Sequence, residues 1–214
     1  MRRDHPQVKT LRTADAFRSH LTAIGIDLPF ADPPDLDALR APIEVAGRAC
    51  ANRFAILPME GWDGTDDGRP TDLVRRRWQH FGTSGAGLVW GGEAFAVRPE
   101  GRANPHQLCL GPSSADDLAE LHSLLDPAQI TSLQLTHSGR WSVEPRPARV
   151  DPLLDARRPG PVLTPAELDS IADDYVAAAR LARDAGFDFV DVKACHGYLL
   201  HELLGRSGDV TADG

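Results

Sequence analysis

The residue types able to do chemistry in this chain fall into four short clusters, each at the end of an apolar run. They are Pro58-Met59-Glu60-Gly61-Trp62, Gly92-Glu93-Ala94, Gln134-Leu135-Thr136-His137-Ser138-Gly139-Arg140 and Lys193-Ala194-Cys195-His196-Gly197-Tyr198. An imidazole N–H can stabilise a developing oxyanion, and a phenol is a neutral proton donor. A glutamine amide can pair with donors and acceptors alike. Taken singly, a His or Gln at a strand end is more often a satisfied structural group than a catalyst. Four such clusters at one face weigh the other way, because functional side chains of parallel α/β folds gather where strands end.

The elements that must position these clusters show as punctuated periodicity. Apolar runs at 53–57, 87–90, 130–135 and 187–193 read as strands, bounded by Pro58, Gly91-Gly92, Asp126-Pro127 and Gly186. Between them, apolar residues recur at helical spacing: Leu73, Trp78 and Phe81, then Leu118, Leu121 and Leu125, then Leu168, Ile171, Tyr175, Ala179 and Ala182. Thr164-Pro165-Ala166-Glu167 has the residues of a capping box with proline at the first helical position, and Gly186 supplies a left-handed stop. Thr71 and Ser113-Ser114 stand where the caps of the two earlier helices belong. Arg75-Arg76-Arg77 reads as the solvated face of its helix. The alternation predicts adjacent parallel strands in chain order, joined by right-handed crossovers. An open doubly wound sheet is the competitor, but neither Gly91-Gly92-Glu93 nor Gly85-Ala86-Gly87 has the spacing that cradles a pyrophosphate.

Residues 1–40, amphipathic over 14–24 and then broken by prolines, read as an extension, and 41–214 as the part that carries the strands. The stretch 144–161, rich in proline and arginine, is too long for an ordinary connection and reads as either a lid over a site or a mobile excursion. The chain of 214 residues has a net charge of -8, which argues against nucleic acid as a partner. No run of about 18 apolar residues marks a membrane span, and Met1 to Pro6 leads into no signal-peptide core, so a cytoplasmic location is expected. Cys50, Cys109 and Cys195 are odd in number and widely spaced, which fits reduced, inert, buried thiols.

From about Ala41 to Gly205 the chain resembles the old yellow enzyme and NADH:flavin oxidoreductase family. The resemblance rests on Asn52-Arg53-Phe54 leading to Pro58-Met59, Gly85-Ala86-Gly87-Leu88 leading to Glu93-Ala94, Gln134-x-x-His137-x-Gly139-Arg140, and Ala185-Gly186-Phe187-Asp188 leading to His196-Gly197-Tyr198-Leu199-Leu200. It implies the first half of a (β/α)8 barrel, about four of its eight parallel strands, with FMN at the strand ends. It further implies that Pro58, Met59, Ala94 and Gln134 contact the flavin ring and that Glu60 takes the place of the residue that tunes it. NAD(P)H would be the reductant and the alkene of an enone or enoyl compound the substrate. In that scheme Tyr198 donates the proton, while His196 and Lys193 hold the carbonyl oxygen.

Two positions depart from the family pattern. Lys193 stands where histidine is usual, and Glu60 where a small polar residue or cysteine is usual. A lysine among apolar strand ends keeps its charge only beside a carboxylate, so Lys193 is expected to pair with Glu60 or Asp191. Later strands of the family supply an arginine near the flavin and the amides that hold its phosphate, and 209–214 resembles only the beginning of that continuation. A front half is therefore expected to bind FMN weakly or not at all, to show little activity alone and, through unpaired strand edges, to self-associate or be poorly soluble. The other readings are a non-catalytic half-barrel that needs a partner and a metal-dependent barrel lyase with His137 and His196 as ligands. His201-Glu202-Leu203-Leu204-Gly205 lacks the second histidine of a zinc motif.

Overall fold

The computed structural model describes residues 6–111 and 113–205, so the readings of residues 1–5 and 209–214 lie outside the described residues. The chain divides into two compact units, Met1–Leu39 and Arg40–Gly214. In the first, helix α1 (Ala14–Ala23) begins where the Thr13 hydroxyl accepts the Ala16 N–H at 3.1 Å, satisfying one of the amides a helix start leaves open. Phe17 of α1 packs on Phe30 with ring centroids 5.0 Å apart. A single helical turn, α2 (Asp37–Arg40), comes next.

The second unit opens with an antiparallel hairpin of β1 (Ile43–Val45) and β2 (Arg48–Cys50) that the alternation of strands and helices did not reveal. Its two-residue turn, Ala46-Gly47, has φ of 51° and 78°, the doubly left-handed backbone that matches the twist of a tight hairpin. The main sheet is parallel throughout. β3 (Ala55–Ile56) pairs with β4 (Leu88–Val89), β4 with β6 (Ile130–Thr136), and β6 with β7 (Phe189–Val192). These are the four expected strands, adjacent and in chain order. One segment was not expected as strand: β5 (Ala94–Ala96) pairs with the end of β6 on the side where β4 pairs with its start. Gly91 and Gly92, at φ 82° and 52°, make the break between β4 and β5.

Helices α3 (Asp72–Gly82), α4 (Ser114–Ser123) and α6 (Pro165–Asp184) cover the sheet. Val74, Trp78, Leu118, Leu121, Ala178 and Ala182 pack with Val89, Phe95, Leu133, Leu135 and Phe187 in one core. Trp78 is wholly buried, and truncating such a side chain to alanine costs about 3–5 kcal/mol. Leu73, placed on the inner face by its spacing, is 52% exposed instead. The arginine run is not uniformly solvated either: Arg77 turns inward to Asp63 and Glu93, because a buried carboxylate there requires a cation. Thr71 and Thr164 cap α3 and α6 as expected, the latter with both halves of the capping box. The Ser113 side chain makes no cap to α4, and the Ser114 hydroxyl accepts the Gly111 N–H at 2.6 Å.

The family-like motifs at the strand starts are staples. Asn52 Oδ1 accepts the N–H groups of Phe54 and Gly87, both at 3.0 Å, and its Nδ2 donates to Gly85 O, tying β3 to β4. Asp188 Oδ2 accepts the Thr131 N–H at 2.8 Å, and Asp188 also pairs with Arg48, tying β7 to β6 and to the hairpin. Short helices α5 (Pro152–Asp155) and α7 (Leu199–Leu204) flank α6 in the chain. Among the described residues no helix is long and apolar enough to cross a membrane.

Candidate active site

At the carboxyl ends of the strands the four polar clusters meet. Glu93, almost fully buried, organises the first two. Its Oε1 accepts the Gly61 N–H at 3.1 Å and Arg77 Nη1 at 2.6 Å, and its Oε2 accepts Trp78 Nε1 at 3.3 Å. Burial pushes its carboxyl up, and Arg77 opposes that shift. The Met59 N–H donates to Gly92 O and the Ala94 N–H to Met59 O, so the loop after β3 is zipped to the start of β5. Gly91 permits this approach, since a Cβ there would lie 2.8 Å from the Pro58 side chain and 2.9 Å from that of Gln134.

The fourth cluster closes on the first. Lys193 Nζ pairs with Glu60 Oε1, and the Tyr198 hydroxyl donates to Glu60 Oε2 at 2.9 Å. Lys193 also lies 4.4 Å from the centroid of the Tyr198 ring. Burial raises the Tyr198 phenol well above its ordinary range, and the Glu60 charge adds to that, so the hydroxyl keeps its proton through neutral pH. Of the two carboxylates expected near Lys193, Asp191 is engaged elsewhere: its Oδ2 accepts Gln134 Nε2 at 2.6 Å across the β6–β7 register.

Two neighbouring clefts share Glu60 and His196. The first, about 380 Å³, is lined by Leu57, Pro58, Met59, Trp90, Gln134, Lys193 and Cys195 besides the shared pair. The second, about 690 Å³, adds Trp62, Ala103, Trp141, Arg158 and Tyr198. Both volumes fall in the range of about 300–1,000 Å³ typical of small-ligand sites. His196 and Trp62 hold φ of 60° and 52°, a left-handed backbone that costs non-glycine residues on the order of 1–3 kcal/mol and concentrates at functional sites. Ala94, expected against the flavin ring, is buried with its N–H and C=O already paired to Met59 and Gln107, and it lines neither cleft. Cys195 corrects the reading of inert buried thiols, being exposed at the first cleft, whereas Cys50 and Cys109 are buried.

His137 is 1% exposed and lines neither of these clefts; Gly139 N–H donates to its Nδ1 at 3.1 Å, which leaves its proton on Nε2. Burial, with Arg98 nearby, depresses it to about 4. Among the described residues no group of three His, Cys, Asp or Glu could hold a metal. Sequence reasoning did not single out Trp141 and Arg158. Their signal was present, since Trp141 directly succeeds the third cluster and Arg158 sits in the arginine-rich excursion.

That excursion is anchored. Arg140, 1% exposed, binds Glu202 of α7 through Nε at 3.1 Å and Nη2 at 2.6 Å, pairs with Asp155 of α5, and donates to Arg149 O at 2.6 Å. Glu202 Oε2 accepts the Ala148 N–H at 2.8 Å. Gly139 (φ 57°) lets the third cluster touch the start of α7, where a Cβ would meet Leu199 Cα at 2.9 Å.

The model of the NADH:flavin oxidoreductase / NADH oxidase family matches residues 38–213. The chain belongs to that family. Among its curated relatives are NADPH dehydrogenases of Geobacillus thermodenitrificans, 29% identical over 78% of this chain and 50% of the relative, and of Listeria monocytogenes, 31% identical over 72% and 47%. The chain thus spans about half the length of the curated relatives it matches. An old yellow enzyme homologue from Zymomonas mobilis superposes with a TM-score of 0.61 at 25% identity, over 76% of this chain and 50% of that one. Morphinone reductase does so with a TM-score of 0.68 at 21% identity, over 82% and 53%. The fold is accordingly four strand–helix units of the family's (β/α)8 barrel.

Proposed function

We propose that this chain carries the substrate-facing half of an FMN-dependent NAD(P)H oxidoreductase that reduces the activated alkene of an enone or enoyl compound. The observation that carries the reading is the convergence of Lys193 and Tyr198 on Glu60, with His196 lining the same two clefts, beside walls formed by Pro58, Met59, Trp90 and Gln134. The walls fit a flavin ring. Leu57, Met59 and Trp90 leave apolar surface exposed for a flat heterocycle to cover, and Gln134 retains its amide oxygen and one amide hydrogen for a polar ring edge. When bound, FMN would take a hydride from NAD(P)H and supply it to the β-carbon of the alkene. The residues of this chain perform the rest. His196 and Lys193 hold the carbonyl oxygen and stabilise the enolate charge that develops there. The Tyr198 O–H turns from Glu60 to give its proton to the α-carbon, and the Lys193 ammonium over its ring stabilises the phenolate left behind.

FMN titration tests this reading. Weak but saturable quenching of flavin fluorescence is expected, lost in Gln134→Leu, while Tyr198→Phe should leave it intact and slow alkene reduction. Absence of quenching would reject the flavin site. The exposed outer edges of β3 and β7, with Phe54, Leu57 and Val192 largely uncovered, support self-association, read by sedimentation across a concentration series. A cytoplasmic location is in keeping with three free thiols.

A further inference from the structure

The second cleft carries a cation with no counter-charge. Arg158 lines it together with Glu60, His196 and Tyr198, yet among the described residues Arg158 forms no ion pair. Its side-chain contacts are two carbonyl oxygens, Arg140 O from Nε at 3.4 Å and Ser142 O from Nη2, and its guanidinium lies 5.8 Å from the centroid of the Trp141 ring. A guanidinium has five N–H donors in a planar fork, so three remain open. Stacking on an indole leaves the donor edge free and holds the fork in place, which lowers the ordering cost of a ligand that uses it.

The other charges of the cleft do not compete for it. The single carboxylate among the lining residues, Glu60, spends one oxygen on Lys193 and the other on Tyr198. Asp155, three residues before Arg158, is committed to Arg140. The arginine is also fixed in place, because the excursion that bears it is bolted to α7 through Arg140 and Glu202.

From this juxtaposition we infer that Arg158 and Trp141 form an anion-recognition subsite that takes paired carboxylate or phosphate oxygens of the ligand entering the second cleft. The ligand's anionic end then lies on the guanidinium fork with its apolar body against Trp141 and Trp62. Its reacting end faces Glu60, His196 and Tyr198. This deepens, and for its catalytic meaning rests on, the proposed alkene reduction: preferred substrates are activated alkenes with a carboxylate remote from the carbonyl. A nucleotide diphosphate is the other source of the same chemistry.

The test titrates the intact chain with 4-carboxycinnamaldehyde, its methyl ester and inorganic pyrophosphate, with the fluorescence of the cleft tryptophans as the signal. The carboxylate should bind at least tenfold more tightly than the ester, and the advantage should vanish in Arg158→Met and shrink in Arg158→Lys, which keeps charge but loses the fork. Arg158→Gln keeps a donor for Ser142 O and serves if the methionine variant does not fold. Arg158-dependent binding of pyrophosphate alone would assign the subsite to a nucleotide. Equal binding of carboxylate and ester without pyrophosphate binding, or preferences unchanged in the Arg158 variants, overturns the subsite. If flavin quenching persists in that case, the proposed function survives. Arg158-dependent anion binding without flavin quenching would keep the subsite and reject the flavin reading.

Discussion

Lys193 pairs with Glu60 across 133 residues of chain, joining the loop after β3 to the end of β7. Both side chains are nearly buried, at 4% and 10% exposure. Removing one member of such a pair strands the other charge, whereas removing both does not. Lys193→Met should therefore lower unfolding stability by about 3 kcal/mol, and the double variant Lys193→Met/Glu60→Gln should recover most of it. Denaturant midpoints for the four members of the cycle measure this; a Lys193→Met loss below about 0.5 kcal/mol, the scale of an exposed pair, contradicts it.

His137 links stability to acid. Its folded-state value of about 4 lies below the ordinary 6.5, so between those values the unfolded chain binds a proton that the folded chain refuses. The contribution is present in full above about pH 6.5 and is lost as pH falls toward 4, on the order of 3 kcal/mol from this residue. His137→Asn should flatten that part of the stability profile. An unaltered slope between pH 6.5 and 4 would assign the acid sensitivity to other groups.

Cys195 should be the one thiol of the native chain that reacts promptly with a disulfide reagent at pH 8. Cys50 and Cys109 are buried, and burial pushes the Cys109 thiol up to about 11, which suppresses its thiolate. Cys195→Ala should remove the fast phase. Because Cys195 lines the first cleft, FMN should slow its labelling; equal rates with and without FMN would place the flavin elsewhere.

Arg140 is predicted to hold the excursion closed. Arg140→Met leaves Glu202 buried without its cation and frees Arg149 O and Asp155. A stability loss of about 3–5 kcal/mol is expected, together with faster tryptic cleavage after Arg149 or Arg157. Proteolysis at the wild-type rate would show that the excursion is held by other contacts.

The four parallel strands and their order were legible in the sequence because each depends on local signals: an apolar run, a breaker, a capped helix of the right length. Thr164 to Glu167 specifies its own helix start through atoms three residues apart. The polar clusters were legible for the same reason, since parallel strands deliver the residues after their carboxyl ends to one face. Tertiary structure decided the pairings that local patterns leave free. Whether Lys193 met Glu60 or Asp191 turned on the β6–β7 register, which gives Asp191 to Gln134. Arg77 turned inward because Glu93, sixteen residues later, is buried and draws a cation to it. Arg158 reached the cleft because Arg140 and Glu202 fold an otherwise patternless excursion back onto α7. Periodicity reports which residues share an element; partners between elements are set by packing and by the cost of leaving a buried charge alone.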